Sequence, residues 1–262
     1  MKLCKISIKD NVASAPSDFW LRLWVSSVAL PCVVLPLYFG YTFYLILLLS
    51  VGAFYEWSKI CRVPFSVGFI LLITFVLACK IRSNETLYLM LLTLMLTTIC
   101  FGVLFSLSTV YIYGGLYSFL LAFEHNPSAL LLFLSFIWLG DISAYFIGRL
   151  LKGPKLAPTI SPGKTWSGLI GGITVPVSFF SGLALFFLPS FSLSFPLVLT
   201  VLSLSAHMGD LLESKMKRHF GIKDSGCCFP GHGGLLDRLD SVFLVGWVLI
   251  VLKFLGFHTL SS

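Results

Sequence analysis

Charge is what this chain has least of. Lys, Arg, Asp and Glu together make up 11% of its 262 residues, less than half of the roughly 25% usual in soluble domains. A soluble fold is excluded. No separate soluble basic domain is present, so the formal charge of +7 gives nucleic acid nothing to bind, and nucleic acid is not an expected partner. Internal repeats and low-complexity tracts are absent as well. The seven cysteines, Cys4, Cys32, Cys61, Cys79, Cys100, Cys227 and Cys228, show no disulfide framework, and several sit in apolar runs where Cys acts as a small hydrophobe. Cys227 and Cys228, even with His219 and His232 nearby, are adjacent rather than two residues apart, which is the wrong spacing for zinc.

What is present is mostly hydrocarbon. Hydrophobic residues supply 57% of the chain, and the mean hydropathy is +0.96. A bilayer span needs roughly 20 mostly apolar residues. The sequence offers about nine such stretches, near 20–38, 41–57, 64–80, 86–106, 108–123, 129–150, 168–188, 191–212 and 240–258. The fold expected is therefore all-α, a polytopic integral membrane protein. Residues 101–123 contain no charged side chain, so no charged loop marks the boundary between the fourth and fifth spans. The segment before Phe19 is polar and weakly basic, with no small-residue cleavage pattern behind the first apolar run, which predicts a retained first helix.

Loop charge predicts orientation. With the N-terminus inside, Lys2, Lys5, Lys9, Arg22, Lys59, Arg62, Arg149, Lys152, Lys155, Lys164, Lys215, Lys217, Arg218, Lys223 and Arg238 collect on the cytoplasmic side, against Lys80, Arg82 and Lys253 on the other. That is a positive-inside bias, with attraction to anionic lipid head groups as an addition. It puts the two long polar loops, about 151–167 and 213–239, on one face, where they can build one site.

The second loop holds the densest chemistry: Ser214-Lys215-Met216-Lys217-Arg218, then Lys223-Asp224-Ser225-Gly226, Pro230-Gly231-His232-Gly233-Gly234 and Asp237-Arg238-Leu239-Asp240. Anionic oxygens call for Lys, Arg and metal ions, metal ions call for Asp, and close backbone approach calls for Gly. The segment reads as a metal-dependent phosphate site beside a bilayer. Asp210, Ser214 and Lys217 or Arg218 recur every three to four residues, so they share a helix face. Asp237 and Asp240 face the same way if a helix begins at 235–240. Mg²⁺ is typically held by one or two carboxylates plus phosphate oxygens, so this supply is adequate. Gly231, Gly233 and Gly234 permit positive φ and offer amides to an anion.

Simpler readings stand beside these. The Lys and Arg cluster alone is also a snorkelling anchor, and Asp237 is also a helix cap. Asp141 and Asp210 lie within apolar runs, where ionised carboxylates are expensive unless they face water, a cation or a partner. A helix–helix polar contact is their alternative use. In the first polar loop, Gly163-Lys164-Thr165 looks like the end of a P-loop, but Pro158 stands where that motif needs its first glycine. What remains there is a basic, proline-stiffened loop suited to a polyphosphate or lipid phosphate, or simply a positive-inside loop.

The segment from Ser214 to Asp240 resembles the diagnostic stretch of the phosphatidate cytidylyltransferases: Ser-x-apolar-Lys-Arg, a gap, Lys-Asp, then His-Gly-Gly-apolar-x-Asp-Arg-apolar-Asp, with every fixed position filled. Asp141, Ala144 and Tyr145 and the run from Lys155 to Gly172 resemble the family's central region. The likeness covers the C-terminal half. Two departures are visible: Ile142 stands where a small hydroxyl residue often follows the aspartate, and Ser167 where Glu is common.

The resemblance implies that CTP and phosphatidic acid react to give CDP-diacylglycerol and pyrophosphate, in the cytoplasmic (inner) membrane with the site facing the cytoplasm. It implies Mg²⁺, with a monovalent cation such as K⁺ as a candidate companion, and a homodimer as a candidate assembly. It assigns Asp224, Asp237 and Asp240 to the metal centre with Asp210 as a further ligand, and Lys223 and Arg238 to catalysis. Ser214, Lys217, Arg218, His232, Gly233, Gly234, Ser161 and Lys164 are assigned to substrate. The chain then divides into N-terminal helices, 1–128, and a catalytic membrane region, 129–262, within one membrane domain. A related enzyme acting on a polyprenol or isoprenoid lipid is the nearest rival. A transporter is the more distant one, since no pair of matching, interrupted halves is visible.

Overall fold

The computed structural model describes residues 31–64, 95–123, 126–187, 194–226 and 233–255, together with residues 27 and 192. Among these residues the long helices are α1 (Thr42–Ile60), α2 (Val103–Phe123), α3 (Pro127–Leu151), α4 (Trp166–Phe187), α5 (Ser194–His219) and α6 (Leu236–Phe254), with strands β1 (Lys155–Ala157) and β2 (Ser161–Thr165) between α3 and α4. Five of them, α1 to α5, are long and apolar enough to cross a membrane. The protein is an all-α polytopic membrane protein. The expected span at 64–80, and parts of those at 20–38, 86–106 and 240–258, lie outside the described residues.

Two expectations change. The boundary between the fourth and fifth spans falls at Gly102 rather than near 107: helical residues 95–101 end there and α2 begins at Val103. Gly102 has φ +89°, a conformation that only glycine adopts at little cost, so the break needs no charged loop. The polar stretch 151–167 is not wholly loop. It folds into an antiparallel hairpin with Lys155 opposite Thr165 and Ala157 opposite Ser161, and α4 starts at Trp166.

Local signals explain the helix ends. Asn126 caps α3 by accepting the N–H of Ala129 at 3.1 Å, with Pro127 in the first turn, where its missing N–H costs nothing. Lys152 takes a left-handed φ of +47° and ends the same helix. Inside α4, Pro176 is buried and has no N–H for the carbonyl of Gly172 four residues earlier. The hydroxyl of Ser203 in α5 donates to that carbonyl at 3.0 Å, so the neighbouring helix repairs the ladder.

Packing runs in sequence: α3 on α4, α4 on α5, α5 on α6, α6 on α2 and α2 on α1. The ring of Phe54 stacks on Tyr113, centroids 5.7 Å apart, and Phe119, Phe123, Phe133 and Phe136 form a run of ring contacts between α2 and α3. Helices α2 and α6 cross backbone to backbone. A Cβ on Gly115 would stand 2.7 Å from Cα of Phe243, and one on Gly246 would stand 2.8 Å from the carbonyl carbon of Gly115. Small residues replace hydrophobic driving force at such crossings. The resulting bundle brings the C-terminal ends of α1 and α5, the N-terminal end of α6 and the hairpin together, and both polar loops meet on that face as expected.

Candidate active site

Helix α6 starts at Leu236 behind Leu235, whose side chain cannot cap. The first amides of a helix need acceptors, and two carboxylates supply them. Asp237 Oδ2 accepts the N–H of Gly234 and the N–H of Ser225, each at 2.9 Å, while its Oδ1 accepts Lys217 Nζ at 2.6 Å. Glu56, from the last turn of α1, accepts the N–H of Leu235 on Oε1 at 2.9 Å. Its Oε2 accepts the N–H of Leu236 at 2.9 Å and the hydroxyl of Ser225 at 2.8 Å. Glu56 is only 5% exposed. A Cβ on Gly226 would stand 2.7 Å from its Oε1, so a glycine there is what lets the loop close on the carboxylate.

Asp237 precedes the apolar part of α6 and titrates at the mouth of the bundle. Burial alone would raise its pKa, but Lys217 and the two amides outweigh that and hold the carboxyl below its usual range. The cap reading of Asp237 is thus part of its geometry, since it reaches back three residues to Gly234. Lys217 is itself buried and also pairs with Glu213 at 3.3 Å.

A second group lies alongside. Lys164 leaves β2 and pairs with Asp210 Oδ2 at 2.5 Å, with the backbone carbonyl of His207 at 3.5 Å. Ser214 donates to Asp210 Oδ1 at 3.3 Å, which bears out the shared face of α5. Asp240 is within electrostatic range of Asp210, Lys217 and Asp141, and Asp141 in turn of Asp210, Lys164 and Arg238. Asp141 lies on α3, within a span, with these charged groups as its electrostatic neighbours. Buried Glu213 sits within range of both Asp240 and Asp237.

The remaining expected residues are placed as follows. Arg218 donates to the carbonyls of Ile160 at 3.3 Å and Ile222 at 2.8 Å, tying the hairpin to the end of α5. Ser161 opens β2 next to that tie. Gly233 has φ +86°, and a Cβ there would stand 2.8 Å from Asp237 Oδ2. Arg238 is exposed in the first turn of α6, and Lys223 and Asp224 are exposed in the bend after α5. His232, with Gly231, Cys227 and Cys228, lies outside the described residues. Ser167, at the departure from the family pattern, accepts the N–H of Gly153 at 3.3 Å and contacts Thr165 at 3.2 Å, closing the base of the hairpin.

Sequence reasoning missed Glu56 and Glu213. Glu56 sits inside the apolar run 41–57, and the one signal it gave was an ionisable residue within a span, which marks function or a buried partner by default.

As a metal cage the four expected aspartates are not drawn together: among the described residues no three acidic, His or Cys side chains converge closely enough to hold an ion. Asp224 is exposed in its bend and Asp237 spends both oxygens on the loop and Lys217. Asp210, Asp240 and Asp141 are hard oxygen donors that influence one another electrostatically, and one or two carboxylates suffice for Mg²⁺ when phosphate oxygens complete the shell.

Comparison with known proteins gives the family. A relative named phosphatidate cytidylyltransferase from Brucella abortus biovar 1 (strain 9-941) is 49% identical over 106 residues, 40% of this chain and 39% of that protein. One of the same name from Staphylococcus haemolyticus (strain JCSC1435) is 48% identical over 112 residues, 42% of each chain, and one from Staphylococcus aureus (strain COL) is 46% identical over 112 residues, again 42% of each. These matches span about two fifths of the relatives' length. The profile of the cytidylyltransferase family matches residues 20–255. With nearly the whole chain inside that match, the protein belongs to the cytidylyltransferase family.

Proposed function

We propose that this protein transfers the cytidylyl group of CTP to phosphatidic acid, giving CDP-diacylglycerol and pyrophosphate for phospholipid synthesis. The observation that carries the reading is the pairing of Lys164 of the hairpin with Asp210 of α5, and of Lys217 of α5 with Asp237 of α6, at the end of a membrane bundle. Charged groups at that end serve a reaction between a water-soluble nucleotide and a lipid whose phosphate stays at the bilayer surface. In the reaction an oxygen of the lipid phosphate bonds to the α-phosphorus of CTP, the α–β phosphoanhydride bond breaks, and pyrophosphate leaves. The attacking oxygen is already anionic, so no general base is required.

The barrier comes from bringing two polyanions together, and the residues present address it by position and charge. Exposed Arg238, Lys223 and Arg218 attract and orient phosphates, and Ser161 and Ser214 add hydroxyl donors. Lys164 shields Asp210 and exchanges that partner for a phosphate oxygen when nucleotide arrives. Lys217 and Asp237 hold the loop ends at Ser225 and Gly234, which keeps Gly233 and Gly234 available to the substrate, and His232 is a further positioning group. Asp210 and Asp240 would hold Mg²⁺, which supplies charge neutralisation for the phosphates, and K⁺ is a candidate second ion. The positive-inside bias supports an orientation with both polar loops facing the cytoplasm, in the cytoplasmic (inner) membrane.

The test is acceptor choice. Purified protein in phospholipid nanodiscs is given CTP and Mg²⁺ with phosphatidic acid, a polyprenyl phosphate or a polyprenol, and release of pyrophosphate (cytidylyl transfer) and of CDP (phosphoryl transfer) is followed. Pyrophosphate release with phosphatidic acid alone supports the reading. Release with a polyprenol derivative alone transfers the site to the isoprenoid alternative.

A further inference from the structure

We infer that Glu56, in the helix α1 far upstream of the family's signature, is a positioning residue for this reaction: its buried carboxylate binds both ends of the signature loop and the start of α6, and so sets where Asp237 and Asp240 stand. This rests on the function proposed above.

The geometry is specific. A helix N-terminus needs acceptors for its first amides, and here neither Leu235 nor any residue before it within the described loop supplies a cap to Leu235 and Leu236. Glu56 accepts both amides at 2.9 Å and the hydroxyl of Ser225 at 2.8 Å. One carboxylate thus satisfies a residue before the loop and two residues after it. A cation partner for Glu56 is not among these contacts; its ligands are neutral N–H and O–H groups, three of them, which is the arrangement that makes a buried carboxylate tolerable. Gly226 and Gly234 line it, and a side chain at Gly226 would meet its Oε1 at 2.7 Å.

The second carboxylate, Asp237, grips the same two ends from the other side through the amides of Ser225 and Gly234. Asp237 also joins Lys217 of α5. Glu56 therefore completes a clamp whose two jaws come from α1 and α6, and displacement of its jaw moves the helix start on which Asp237, Arg238 and Asp240 are carried. Leu236 is buried in the core beside this clamp, so packing holds the helix start laterally while the carboxylate fixes where its first amides sit.

The experiment uses the full chain in nanodiscs, comparing wild type with Glu56→Gln and Glu56→Asp. Gln keeps the length but turns an N–H₂ toward an N–H donor, and Asp is one methylene short of both amides. Both variants are expected to lower kcat by about 10–100-fold, as loss of a supporting contact behind reacting groups does, with KM for phosphatidic acid within twofold of wild type. Amide hydrogen exchange read by mass spectrometry is expected to speed up by about tenfold in peptides covering 225–226 and 233–237 and to stay unchanged in α3 and α4. Unchanged kcat in Glu56→Gln overturns the inference. Faster exchange throughout the bundle also overturns it, by making Glu56 a general stability residue. If wild type makes no liponucleotide, the proposed reaction fails instead, and the local exchange pattern still decides whether Glu56 holds the loop.

Discussion

Lys217 Nζ stands 2.6 Å from Asp237 Oδ1, bridging α5 and the first turn of α6. Both side chains are largely buried, at 9% and 14% exposure, so Asp237 depends on Lys217 for neutralisation, and Lys217 on Asp237 and Glu213 together. Breaking one side of such a pair leaves an uncompensated buried charge. Lys217→Ala should therefore destabilise the protein by about 3–5 kcal/mol. Denaturant unfolding in mild detergent measures it; a loss under about 1 kcal/mol would show that water replaces the ammonium.

The acid limb of stability follows from the same carboxylate. Asp237 is held below the usual carboxylate range, so its stabilising contribution is complete above its unfolded value of about 3.9 and is lost as pH falls through the lower folded value. From about pH 5 to 8 the Asp237 carboxylate itself adds no slope. Below about pH 4, wild type should lose stability and Asp237→Asn should lose less. Parallel acid profiles for the two proteins would contradict the assignment.

The repaired helix ladder gives a double-mutant cycle. Ser203→Ala strands the Gly172 carbonyl, which Pro176 already leaves without an i+4 donor, and should cost about 1–3 kcal/mol. In a Pro176→Ala background the new alanine brings back an N–H, and the cost should fall below about 1 kcal/mol. Equal costs in both backgrounds would mean the hydroxyl does something else.

Gly115 and Gly246 set the closeness of α2 and α6. Gly115→Val cannot be absorbed by a rotamer change, because the obstacle is the backbone of Phe243. The helices must separate, and the polar start of α6 shifts with them. A loss of thermal stability together with lost turnover is expected, whereas Gly163→Ala, with nothing within 4 Å of its Cβ, should fold as wild type does.

Much of this was legible in residue order. Hydropathy gave the five spans α1 to α5 seen among the described residues, and the recurrence of Asp210 and Ser214 gave a face whose contact is present at 3.3 Å. The positive-inside pattern put the two polar loops on one face, and Arg218 does meet Ile160 there. Local backbone chemistry was harder to read. The helix break at Gly102 depends on one positive φ in an uncharged run, and the hairpin at 155–165 depends on pairing that a proline-rich composition does not announce. Glu56 was hidden for a different reason: its partners are main-chain amides up to 180 residues away, and an amide leaves no mark on a sequence. Asp237 looked like a metal ligand because its residue type allows that; its actual neighbours, a Lys and two amides, are set by tertiary structure.

The most direct measurement is incorporation of cytidine label from α-³²P-CTP into chloroform-soluble lipid by the purified, nanodisc-embedded protein with phosphatidic acid and Mg²⁺, for wild type, Asp237→Asn and Asp240→Asn. Wild type should form labelled CDP-diacylglycerol with one pyrophosphate per lipid, and each variant should remain inserted in the membrane while losing at least about 100-fold in rate. A folded wild type that labels no lipid, or an Asp240→Asn protein as active as wild type, would contradict the central claim that the start of α6 carries the chemistry.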